Sequence, residues 1–161
     1  MLAVTVSNHY LYHPKKNIMK KLILSFLVLA FPLMLVANPA EEAAIKRVIQ
    51  GAYIDGLQNL GDIQTIRDGF HPDFVMFVFR DGKLSHMDIH SWIERVEQRK
   101  RNPNTPRPNI SGKFLDVEIT GTVAVVKLEL YRDGNKIFTD YISLYKFGND
   151  WKIVSKVYYQ H

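Results

Sequence analysis

A chain of 161 residues, 47% hydrophobic and 23% charged, has room for one globular core and no second of useful size. Its basic balance does not point to nucleic acid: four of the 21 basic residues (Lys15, Lys16, Lys20, Lys21) and none of the 16 acidic ones precede Asn38, so residues 38–161 carry 17 against 16, or +1. The absence of cysteine excludes disulfides, thiolate chemistry and a lipid-modified Cys.

Residues 1–37 read as an N-terminal extension and secretory signal peptide. Lys20 and Lys21 precede an apolar run over residues 22–36, with small residues at Ala37 and Ala40. Ser25 and Pro32 interrupt the run, and it is shorter than the ~20 residues a spanning helix needs. Cleavage near Asn38 is therefore expected, leaving an exported, periplasmic or extracellular domain over 38–161 with no membrane attachment. The polar stretch before Met19 suits a signal poorly, which makes Met19 the expected start.

Asn38-Pro39-Ala40-Glu41 supplies an N-cap, a first-turn Pro and a Glu placed to complete a capping box, so a helix starts there. Ile45, Val48, Ile49, Ala52, Tyr53, Leu57 and Leu60 recur at three- and four-residue spacing and form its apolar stripe. Gly61 ends it. Asp62 caps a short second helix that Gly69 stops. His71 before Pro72 is extended and leads into a strand over 74–79, apolar at every position and so expected to be covered on both faces. Asp81-Gly82 makes a hairpin turn. Ile89, Trp92, Ile93 and Val96 mark a third helix, capped by Asp88 and ending in Arg99-Lys100-Arg101.

After a proline-rich loop over 102–109 come four strands, 113–120, 122–132, 136–147 and 151–159, separated by Gly121, Asp133-Gly134 and Gly148-Asn149-Asp150. Three helices followed by an antiparallel meander make an α+β domain.

The strings FHPDF and FTDYISLYKFGNDWKIVSKVYYQH, in that order of elements, resemble the putative lumazine-binding family of the nuclear-transport-factor-2-like / SnoaL-like superfamily. The resemblance covers the chain from the first helix through Tyr159. It implies a cone-shaped fold, three N-terminal helices packed against a curved, mainly antiparallel sheet, and dimers across the outer sheet face. It does not select a function, since relatives include isomerases, cyclases, dehydratases and non-catalytic binders. The spacing from Tyr53 to Gly61-Asp62 departs from that of many members, so no catalytic role is carried onto Tyr53.

The last hairpin carries Asp140 and Lys156 where burial should exclude charge. If Phe147 faces Trp151, then Asp140, Ile142, Leu144, Val154, Lys156 and Tyr158 share one face, with Asp140 opposite Tyr158 and diagonal to Lys156. The pair either orients a polar ligand in a pocket or is a structural ion pair at the sheet end or dimer face. Tyr53 either donates to a ligand or bonds a backbone carbonyl in the core. Trp92 and Trp151 are each either a ligand platform or core. His71 is a general base or a corner residue bonded to backbone. His86 and His90 are four apart, but capping by Asp88 leaves His86 outside the helix, and no metal is expected. Arg99-Lys100-Arg101 with Arg107 either touches an anion or is a solvated helix end. No nucleophile motif or phosphate loop is present, and no cofactor is expected.

The expectation is an exported homodimer that binds a small hydrophobic or flat aromatic molecule at Tyr53, His71, Trp92, Asp140, Lys156 and Tyr158. The alternatives are a small isomerase, cyclase or dehydratase using Asp140, His71 and Tyr53 as acid-base groups, and a non-catalytic interaction module with a filled interior.

Overall fold

The computed structural model describes residues 38–161. The leader expected over residues 1–37 lies outside the described residues. Helix α1 (Pro39–Val48) starts where the sequence places it, Asn38 Oδ1 accepting from Ala40 N at 3.1 Å. Glu41 does not close a capping box. Its carboxylate instead accepts from Lys146 Nζ and Trp151 Nε1, both at 2.6 Å, and ties the helix start to the last hairpin.

From Ile49 to Gln58 the helix continues with the wider π hydrogen-bonding pattern. The extra residue per bonded turn broadens the buried face. Ile54, off the expected stripe, is fully buried beside Ala52 and Tyr53. Val48, on that stripe, is only half-buried.

Helix α2 (Ile63–Gly69) is capped by Asp62, which accepts from Thr65 N at 2.7 Å. It feeds β1 (Phe70–Arg80), and the Asp81-Gly82 turn, with φ of 52° and 73°, returns the chain as β2 (Lys83–Asp88). Asp88 caps α3 (Ile89–Arg101) by accepting from Ser91 N at 2.8 Å. Then β3 (Ile110–Thr120), β4 (Val123–Arg132), β5 (Asn135–Phe147) and β6 (Asp150–Gln160) form the expected meander. The sheet order is β2-β1-β6-β5-β4-β3, antiparallel except where β1 runs parallel to β6. The six-stranded sheet is curved and unclosed, and its ladders break register at Leu115, Ile137 and Val154, the extra residues that let strands bend.

The inner face of the sheet packs on the helices through Val126, Leu128, Ile142, Leu144 and Ile153, all at most 1% exposed. The outer face corrects the expectation for β1. Phe77 and Phe79 are 40% and 74% exposed, so that strand is covered on one side only.

Close approach between the π segment and α2 depends on Gly69, where an added Cβ would overlap Ala52 Cβ. At Gly112 the obstruction is the tip of Ile54, which can rotate away. Gly69→Ala is therefore expected to destabilise by about 1–3 kcal/mol and Gly112→Ala by less, with Ala52→Gly recovering part of the Gly69 loss. Urea unfolding of the three variants checks the order.

Candidate functional site

Two side chains among the described residues are charged and buried, Asp140 on β5 and Lys156 on β6, at 0% and 4% exposure. Their approach follows from hairpin register. Asp140 pairs with Tyr158 and Ile142 with Lys156, so the charges are diagonal neighbours on the inner face, as the sequence implied. The register at the turn differs from expectation. Gly148, with φ of 63°, makes a tighter turn that sets Phe147 opposite Asp150 and Lys146 opposite Trp151. The bulge at Val154 then absorbs the one-residue offset, so Val154 leaves the inward series and Ile153 faces Leu144 in its place.

Lys156 Nζ donates to Asp140 Oδ1 at 2.5 Å, and Tyr53 Oη, reaching in from the π segment, donates to Asp140 Oδ2 at 2.6 Å. Tyr53 thus bonds a carboxylate rather than a backbone carbonyl. The ammonium of Lys156 also lies against aromatic faces, 4.4 Å from the ring centre of Tyr158, 5.3 Å from Tyr53 and 5.8 Å from Phe138. Trp92 on α3 meets Tyr53 edge-on at 5.9 Å and lies 6.2 Å from Phe74. Phe138 and Tyr158 meet edge-on at 5.4 Å. Trp92, Phe138 and Tyr158 are half-buried around the fully buried polar centre. The arrangement is a neutral trio (cation, anion, phenol) with an aromatic rim.

Burial, and then the Asp140 charge, hold the Tyr53 hydroxyl well above the tyrosine value of 10.0, so it remains a donor. Burial pulls Lys156 below 10.5, while Asp140 favours its charged form.

Five of the six expected site residues, Tyr53, Trp92, Asp140, Lys156 and Tyr158, come together. His71 does not join them. It stacks on Phe147 at 4.8 Å and accepts from Asp73 N at 3.1 Å, at the corner where α2 becomes β1. Phe138 went unrecognised although it lies two residues before Asp140 on the same inner face. Strand alternation alone would have found it.

The other charged candidates lie elsewhere. His86 is on β2 and His90 on α3. Lys100 Nζ donates to Gly61 O at 2.6 Å and Arg101 pairs with Glu97 at 3.2 Å, while Arg99, Lys100 and Arg107 line a surface hollow with Asn102 and Thr105. Trp151 is 2% exposed, in the core.

The family described as "Putative lumazine-binding" matches residues 40–159. The chain belongs to this family. Solved structures agree. A nuclear-transport-factor-2-like protein of unknown function from Shewanella baltica is 26% identical, with a TM-score of 0.62, over 77% of this chain and 96% of that one. One from Silicibacter pomeroyi is 20% identical with a TM-score of 0.60, over 76% and 98%, a likeness of fold alone. Among curated proteins, "Aldolase FrzH" of a Cladobotryum species is 26% identical over 111 residues, covering 68% of this chain and 83% of that protein.

Removing one member of a buried pair strands the other. Asp140→Asn is expected to destabilise by about 3 kcal/mol or more, and the triple change Tyr53→Phe, Asp140→Leu, Lys156→Met by less than that single change, as read by urea unfolding. Between the lowered pKa of folded Lys156 and 10.5 the unfolded chain binds more protons than the folded one. Wild-type stability relative to Lys156→Met is therefore expected to rise with pH in that window, and denaturation at a series of pH values up to 10 measures it.

Proposed function

We propose that the protein binds a small, flat, largely apolar molecule against the half-buried rings of Trp92, Phe138 and Tyr158, with the Tyr53–Asp140–Lys156 trio orienting its polar edge. The observation that carries this is a buried, charge-balanced polar centre ringed by half-buried aromatics, the composition that small-molecule sites share. Membership of the lumazine-binding family supports a heteroaromatic ligand. The zero net charge of the trio favours a neutral one. Lumazine, a flat bicycle with polar edges, is the natural probe. Titration is expected to quench Trp92 fluorescence, and Phe138→Ala to weaken binding about three- to tenfold, the value of one aromatic contact. Unchanged fluorescence at saturating lumazine and riboflavin, or unaltered affinity in Phe138→Ala, would count against the site.

A second reading, an enzyme, is favoured by the likeness to the aldolase and by the position of Lys156 beside a carboxylate and a phenol.

The protein in this proposal is an exported homodimer. Export rests on the basic, apolar and small-residue order of residues 20–40, and N-terminal sequencing of the mature protein tests it. Dimerisation rests on the outer sheet face, where Tyr141 on β5 pairs with Val157 on β6, with Val125 diagonal to Tyr141 on β4 and Phe77 on β1, each at least 40% exposed. Tyr141→Glu is expected to shift the mass seen by light scattering from dimer to monomer without loss of helical circular dichroism. A monomeric wild type would refute the dimer.

A further inference from the structure

Of the nine lysines over residues 38–161, Lys156 alone is buried. Its ammonium has three hydrogens, and among the described residues one acceptor takes one of them, Asp140 Oδ1 at 2.5 Å. The other hydrogens face aromatic rings, the nearest being Tyr158 at 4.4 Å. The nitrogen therefore stands between the Asp140 carboxylate and the rings of Tyr158, Tyr53 and Phe138. A phenol is bonded to the far oxygen of that carboxylate. Burial weakens the hold of Lys156 on its proton.

We propose that Lys156 is an amine nucleophile that condenses with the carbonyl carbon of a flat aldehyde or ketone held against Phe138 and Tyr158. The inference rests on the binding site proposed above and names its ligand class.

Lys156 first passes one proton to Asp140. The freed lone pair on Nζ forms a bond to the carbonyl carbon, and the carbon–oxygen π electrons move to oxygen, which takes the proton back from Asp140. The nitrogen of the resulting carbinolamine still carries a proton that it can give up to Asp140. Asp140 delivers that proton to the hydroxyl, the carbon–oxygen bond breaks, and water leaves as the nitrogen lone pair forms the iminium. The sum is one ammonium and one carbonyl giving one iminium and one water, with charge conserved and no oxidant, reductant or metal required. Tyr53 holds Asp140 in place through both transfers and, protonated at all neutral and mildly alkaline pH, does not compete for the proton.

The test uses 2-naphthaldehyde with sodium cyanoborohydride, which reduces an iminium to a stable secondary amine. After limited reaction of the full protein near pH 7.5, peptide mass mapping is expected to find the naphthylmethyl group on Lys156 ahead of every other lysine, because burial lowers its pKa and raises its share of neutral amine. Lys156→Arg keeps a cation beside Asp140 but forms no imine, and its adduct at this position is expected to vanish while the slow background elsewhere stays. Labelling spread over other lysines with Lys156 untouched would overturn the inference, as would an unchanged pattern in Lys156→Arg. Fluorescence quenching by the aldehyde without reductant separates the two claims. Quenching without trapping refutes the nucleophile and leaves the binding site standing, and neither signal refutes both.

Discussion

A carboxylate with no solvent contact sets the terms for the rest of this molecule. Asp140 sits at the centre of the inner sheet face, and an uncompensated charge there would be untenable. Its two oxygens are met by donors from two different elements, an ammonium from the adjacent strand and a phenol from the first helix. Meeting both fixes how far β6 slides along β5 and how the helix is rotated about its axis. A hydrophobic core of the same volume would tolerate small slips that this arrangement forbids. The buried polar group thus specifies geometry at little gain in stability.

Much of this was legible in the sequence because its causes are local. The Asp81-Gly82 turn, the Asp62 and Asp88 caps and the alternation along β4 and β5 depend on residues a few positions apart. The diagonal approach of Asp140 and Lys156 was legible too, since two residues in one hairpin are related by register alone. What escaped depends on partners distant in the chain. Glu41 reads as a cap in its local context, and only the arrival of Lys146 and Trp151, more than a hundred residues later, redirects it. The π segment leaves no clear mark in the pattern. Its effect, burial of Ile54 against the β3 glycine, appears only when the sheet is in place. The exposed outer face of β1 was misread because an all-apolar strand looks the same whether its second face is covered or open.

His71 illustrates a different limit. Its residue type suits proton transfer, but its role is settled by what the fold brings to it. Here that is Phe147 and the backbone of Asp73, a corner arrangement that accounts for one ring face and one nitrogen without invoking chemistry. Tyr53, with a less reactive side chain, is the residue the fold delivers to the charged pair.

The irregularity at Val154 has a consequence for how this strand can change over time. Between the turn and the bulge, Trp151 and Ile153 obey one alternation. Beyond it, Lys156 and Tyr158 obey the opposite one. The strand is in effect two independently phased segments sharing one backbone. Sequence drift at the hairpin tip can then retune how the sheet seats on the first helix without disturbing the buried ion pair beyond the bulge. Loss of the single extra residue would rotate the ammonium out to solvent and leave its carboxylate stranded.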